Sequence, residues 1–270
     1  MMEYGHGGDI YRNRNVELDF SVNVNPLGMP NFVWEASQRS IAFCTGYPDS
    51  SCENLRGRLS ELTGVPEDQM IFGNGAAELI FRLVQEVRPK KAVIPAPSFA
   101  EYETALRSCG TEIAFFYLKE AESFFLNVSE FLDFLRTEQP EIIFLCTPAN
   151  PTGAMIRQAD LSKILDYCKK HGILLVLDEC FVEFLDEERN CGCIREFLDW
   201  ETGRPEHGGS LFLLRAFTKT YAMAGLRLGY GFCTSRQLLD RMEENWQPWS
   251  VSIPAQEAGY AALSEERIPF

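Results

Sequence analysis

Residues 141–179 read EIIFLCTPANPTGAMIRQADLSKILDYCKKHGILLVLDE, and this stretch decides the fold. Glu141–Cys146 and Ile173–Asp178 are short, unbroken apolar runs bounded by turn residues, which is the pattern of strands buried on both faces. Between them, Gln158–His171 places Leu161, Ile164, Leu165 and Cys168 at helical spacing on one face. Strand, helix, strand at this separation predicts a parallel pair with a crossover helix.

Working outward, the same alternation continues. Lys91–Pro95, Glu112–Tyr117, Leu211–Leu214 and Leu228–Cys233 read as further strands, and Met70–Gly73 as the first. Ala76–Val87 carries Leu79, Ile80, Leu83, Val84 and Val87 on one face, and Ser129–Thr137 is patterned likewise. The expectation is an α/β chain with a mostly parallel sheet and helices on both faces. The first forty-odd residues, with Asp19–Gly28 (DFSVNVNPLG), read as an extended, turn-rich arm. Ser235–Glu265 reads as a helix, a break at Gln247-Pro248, and a second helix from Pro254.

The composition narrows the function classes. Of 270 residues, 46% are hydrophobic and 24% charged, and the net charge is −14, which disfavours duplex nucleic acid and anionic membrane surfaces. No apolar run approaches the roughly 20 residues of a membrane span. The start, MMEYGHGGDIYRNRN, lacks the apolar stretch of a secretory signal. Nine scattered cysteines read as reduced thiols of a cytoplasmic protein. Cys191-Gly-Cys193 is the one close pair, and without a second pair at ligand spacing no metal is expected.

In parallel sheets ligands bind beyond the carboxyl ends of the strands, and four such positions carry chemistry. Gly73-Asn-Gly75 lies between a strand and a helix, where free backbone N–H groups can hold a phosphate. A dinucleotide site would want glycine where Glu78 stands and an acid where Pro95-Ala-Pro97 stands. Thr147–Gly153 is either a plain turn or one that presents the Asn150 amide. Asp178-Glu179 puts carboxylates at a strand end, as a helix cap or as a buried pair needing partners. Lys219 sits among small and apolar residues, whose desolvation makes an amine nucleophilic. Arg227 follows eight residues later, its fixed charge suited to a phosphate.

Taken together these pieces resemble the class I/II aminotransferase superfamily, the fold-type I enzymes that use pyridoxal 5′-phosphate (PLP). Tyr47-Pro-Asp, Gly73-Asn-Gly75, Pro97-Ser-Phe99-Ala-Glu-Tyr102, Asn150-Pro-Thr-Gly, Asp178-Glu and Thr218-Lys219 with Arg227 stand in family order, and the likeness runs from His6 to about residue 265. The resemblance implies that Lys219 binds the cofactor covalently and shuttles the proton at Cα, with Asp178 facing the pyridine nitrogen. Asn150 would bond the ring oxygen and Phe99 would stack on the ring. Gly75, Ala76, Ala77, Thr218 and Arg227 would surround the phosphate. Tyr47 would reach the phosphate of a neighbouring subunit, which implies a homodimer. It further implies an N-terminal arm over residues 1–45, a PLP-binding large domain over 46–245, and over 246–270 the start of a connection to a C-terminal small domain.

Two branches of the family compete. The arm, Phe181 in place of a usual tyrosine, Pro97–Tyr102 and Pro248-Trp-Ser-Val251 resemble the L-threonine-O-3-phosphate decarboxylases of cobalamin biosynthesis; the alternative is a histidinol-phosphate-type aminotransferase. By the first resemblance His6, Gly7, Asn23 and Asn150 would touch a phosphorylated amino acid. Ala77 and Ala216 depart from the family by lacking a phosphate-binding hydroxyl; each lost bond to a charged group is worth about 1.5–3 kcal/mol. The family continues into a small domain that grips the substrate, and none follows Phe270. The expectation is thus a fragment or truncated product, or a decayed binding protein, with a formed cofactor pocket that lacks one wall. Ala255, Tyr260 and Leu263 are expected to be exposed there. A regulator of this superfamily would need a helix-turn-helix, and residues 1–45 offer none.

Overall fold

The computed structural model describes residues 7–13, 15–185, 194, 197 and 210–264. Seven strands form one sheet: β1 (Met70–Gly73), β2 (Lys91–Ala96), β3 (Glu112–Tyr117), β4 (Ile142–Cys146), β5 (Leu174–Asp178), β6 (Leu211–Ala216) and β7 (Gly229–Cys233). Their order is β1-β7-β6-β5-β4-β2-β3, and β7 alone runs against its neighbours. The predicted strands are present, with β6 continuing through Arg215 to Ala216.

The apolar runs divide their side chains strictly between the two faces, because successive residues of a strand point to opposite sides. Ile142, Phe144, Leu174 and Val176 pack under helices α3 (Ala76–Val87) and α4 (Ala100–Ser108), together with helix Arg236–Glu244. Ile143, Leu145, Leu175 and Leu177 pack on the opposite side, under α2 (Glu53–Thr63), α5 (Val128–Glu138) and α6 (Gln158–His171). Two cores on two faces account for the lack of polar alternation along these strands. Helix α6 stops at Gly172, whose N–H turns back to the Cys168 carbonyl; its φ of +70° lets the following Ile173 N–H donate to the same carbonyl at 3.0 Å.

Two readings of the chain ends are corrected. The arm is extended only as far as Pro30, after which Asn31–Ser40 forms helix α1 with Val33 and Ala36 buried. The final helix, Ile253–Ser264, packs on α1 and α2. Ala255 is therefore buried rather than exposed, along with Ala258 and Ala262; Leu263 is partly buried and Tyr260 alone of the three lies open. The small alanine side chains allow α1 to approach closely, so the face expected to be bare is covered by a helix from the other end of the sequence. No helix of the described residues is long and apolar enough to cross a membrane.

Candidate active site

The carboxyl ends of β4, β5 and β6 open into one cleft. After β6 the chain makes a single helical turn, Phe217–Thr220, which carries Thr218 and Lys219 to the cleft wall. Asp178 ends β5 and lies opposite Cys146 at the end of β4. The turn after β4 is closed by Gly153 N–H to Ala149 O (2.7 Å) and Ala149 N–H to Ala154 O (2.9 Å), which presents Asn150 to the same cleft. Helix α3 contributes Ala76 and Ala77, the residue before α4 contributes Phe99, and Arg227 lies across from them.

Electrostatics distinguish the two ionisable groups at the centre. Burial lowers the Lys219 amine below the ordinary lysine range; the Arg227 charge acts in the same direction, while Cys180 and Asp178 oppose it. Its Nζ lies 5.9 Å from the centre of the Phe181 ring. Asp178 is 5% exposed, and burial raises its carboxyl above the usual range against hydrogen bonds from Tyr102 and Cys180. The Tyr102 hydroxyl donates to Asp178 Oδ2 at 2.6 Å and the Cys180 N–H donates to Oδ1 at 2.9 Å.

The start of α3 is shaped for an anion. Its cap residue is Gly75, at φ +84°, and no side chain caps the helix. A Cβ on Gly75 would fall 2.3 Å from Arg227 Nη2, so glycine is what allows the guanidinium to lie over the loop. A Cβ on Gly229 would fall 2.3 Å from the Ala76 nitrogen, so β7 also makes room for this helix start. Gly75→Ala is expected to weaken binding of a phosphate-bearing ligand about ten- to hundred-fold, through a strained left-handed residue and a displaced charge-assisted donor. Calorimetric titration of the variant beside the parent checks this.

Other predicted residues lie elsewhere. Tyr47 is 78% exposed and stacks on Trp249 with ring centres 4.3 Å apart, outside the cleft lining. Gly7 and Asn23 are exposed on the arm and do not line the cleft; the Gly8 N–H donates to Ser21 Oγ at 2.8 Å. His6 and the Cys191–Cys193 pair lie outside the described residues. Ala77 and Ala216 present methyl groups to the cleft, as the sequence states.

Three contacts escaped the reading of the sequence. Asn25 is buried and ties the arm to the lysine segment: its N–H donates to Lys219 O at 3.0 Å and its Nδ2 to Thr220 O at 2.9 Å. Glu179 points away from Asp178 into an ion pair with Arg215, whose Nε and Nη2 lie 3.0 and 2.6 Å from Oε2. Tyr102 was visible only as part of a motif. Each pairs residues far apart in sequence, and only the spacing of Tyr102 three residues after Phe99 hinted at a shared face.

Residues 15–268 match a family described as aminotransferase class I and II. Over 267 residues the chain is 37% identical to the threonine-phosphate decarboxylase of Salmonella typhimurium, covering 96% of this chain and 70% of that one. It is 34% identical over 248 residues to the histidinol-phosphate aminotransferase of Methanosarcina barkeri, covering 90% of this chain and 62% of that one. Among solved structures, the histidinol-phosphate aminotransferase from Clostridium acetobutylicum matches with a TM-score of 0.79 at 26% identity, covering 92% of this chain and 69% of that one. The L-threonine-O-3-phosphate decarboxylase from Porphyromonas gingivalis, at 24% identity and a TM-score of 0.75, shares the fold over 90% of this chain and 68% of that one.

Proposed function

Because the chain belongs to the aminotransferase class I and II family, we propose that its cleft binds PLP and acts on a phosphorylated amino acid, with decarboxylation of L-threonine O-3-phosphate as the reaction. The observation that carries the cofactor reading is the convergence of Lys219, Asp178, Asn150 and Arg227 on one cleft at the strand ends. The residues fit the group: the Gly75 cradle and Arg227 suit its phosphate, and the buried carboxylate suits a ring nitrogen. Identity to the Salmonella enzyme over almost the whole chain, and phenylalanine at position 181, support the choice of reaction.

Bound there, PLP supplies an aldehyde that attaches the amino substrate and a ring that accepts the electron pair left at Cα. Lys219 would hold the group covalently and move the proton at Cα, tasks that a desolvated amine suits. Asp178 holds a proton on the ring nitrogen. Asn150 donates to the ring oxygen, Phe99 covers a ring face, and Gly75, Ala76, Ala77, Thr218 and Arg227 surround the phosphate. Gly7, Asn23 and His6 would meet the substrate only as the arm closes over it, and Tyr47 would serve the neighbouring copy in a homodimer. The groups that grip the substrate carboxylate and phosphate would orient its Cα, and so choose between CO₂ loss and proton loss.

The chain spans 70% and 67% of the length of two decarboxylase-named relatives. Incubating the PLP-loaded chain with O-phospho-L-threonine tests the reading. Release of CO₂ with a phosphorylated amino alcohol is expected, and unphosphorylated threonine is expected to be a poor substitute. A keto product from histidinol phosphate, with no CO₂ from phospho-threonine, would assign the chain to transamination instead; the 34% identity to an aminotransferase supports that second reading.

A further inference from the structure

Asp178 poses a problem that its position in the cleft does not solve. A carboxyl group taken out of water favours its neutral form, yet only the ionised form can hold a proton on a ring nitrogen. Burial pushes Asp178 in the wrong direction, and the neighbouring Glu179 charge adds to it. The opposing influence comes from hydrogen-bond donors. Cys180, the second residue on, supplies both its thiol and its N–H, the latter 2.9 Å from Oδ1. The Tyr102 hydroxyl arrives from α4, 76 residues away in sequence, and lies 2.6 Å from Oδ2. The Cys146 thiol and the Lys219 amine also face the carboxyl group.

The ring of Tyr102 is held on two sides. It stacks on Phe144 with centres 4.9 Å apart and meets Phe99 edge-on at 5.6 Å. The side chain is 1% exposed, so the hydroxyl has little freedom to leave the carboxylate. Burial also pushes the phenol well above its ordinary range, so it stays protonated and remains a donor. A phenylalanine would fill the same volume and make both ring contacts. What the tyrosine adds is a hydroxyl that donates to Asp178 and lies beside the Cys146 thiol.

We propose that Tyr102 is a positioning residue for Asp178: its hydroxyl binds the buried carboxyl group and fixes it at the cleft. This rests on the cofactor reading above for its role in catalysis, but the bond itself can be tested without cofactor. In protein carrying ¹³C-labelled aspartate carboxyls, the Asp178 signal is identified by its loss in Asp178→Asn. Tyr102→Phe is expected to move the titration of that signal upward by about one to two pH units, the worth of one bond to a charged acceptor. In the PLP-loaded protein, the pH dependence of the visible absorption band is expected to shift as well, and cofactor release to quicken.

The outcomes separate the two ideas. An unchanged Asp178 titration in folded Tyr102→Phe overturns the proposal, whatever PLP does. A lower thermal midpoint with an unchanged titration also overturns it, because that is a packing role only. A shifted titration in a protein that forms no Lys219-dependent band sustains the bond and rejects the cofactor reading, so the catalytic role falls with it.

Discussion

Lys219→Ala is expected to leave the chain folded and to abolish the visible absorption band that forms when PLP is added to the parent. The substitution removes an amine from a single helical turn after β6, at the rim of a cleft rather than in either core. Its neighbours Phe217, Thr218 and Thr220 carry the burial of that turn, so the fold loses little. The chemistry loses a great deal. Proton transfer by a positioned side chain contributes about 10²–10⁴-fold in rate, and the covalent hold on the cofactor is lost besides. Turnover is expected to fall by at least about 10³-fold. The pH dependence has a definite sign. Since burial lowers the amine, the neutral form is present at lower pH than for a free lysine, and the rate of band formation in the parent rises with pH through that lowered value. A band that survives in Lys219→Ala would remove the central assignment.

Arg215→Met is expected to cost about 3–5 kcal/mol of stability, the usual penalty for breaking one side of a buried ion pair. Arg215 lies on β6 with its side chain in the interior, and Glu179, just past β5, has a side chain 1% exposed. Removing the guanidinium leaves the Glu179 carboxylate in low dielectric with one counter-charge fewer. Changing both residues, Glu179→Leu with Arg215→Met, is expected to recover much of the loss, because two apolar side chains leave no charge to desolvate. Urea unfolding of the parent, the single variant and the double variant measures this. A single variant within about 1 kcal/mol of the parent would mean that water reaches the pair. The pair also bears on the site, since the Glu179 charge pushes its neighbour Asp178 toward the neutral form and Arg215 offsets part of that charge.

The candidate site was largely legible because its residues sit at predictable places. Asp178, Asn150 and Lys219 each follow an apolar run, and a parallel sheet gathers such ends at one side. Gly75 was legible as a strand-to-helix glycine, though the reason for it, the Arg227 side chain, was not. Gly7, Asn23 and Tyr47 were marked by resemblance, and in a single chain they stand outside the cleft lining. Their proposed roles depend on substrate or a second copy approaching them.

The sequence by itself determined the alternation of strands and helices, which faces are apolar, and which polar residues lie at strand ends. Those are matters of local periodicity, set by the two-residue repeat of a strand and the 3.6-residue repeat of a helix. Tertiary structure alone decided which distant groups meet. Strand order brings Tyr102 to Asp178 and Arg215 to Glu179, and the return of the arm places Asn25 against Thr220, 195 residues on. Helix α1 covers Ala255 for the same reason. A buried carboxylate states in sequence that it needs partners, because desolvation is costly wherever it sits. Which partners reach it depends on how the strands are ordered, and no local pattern carries that information.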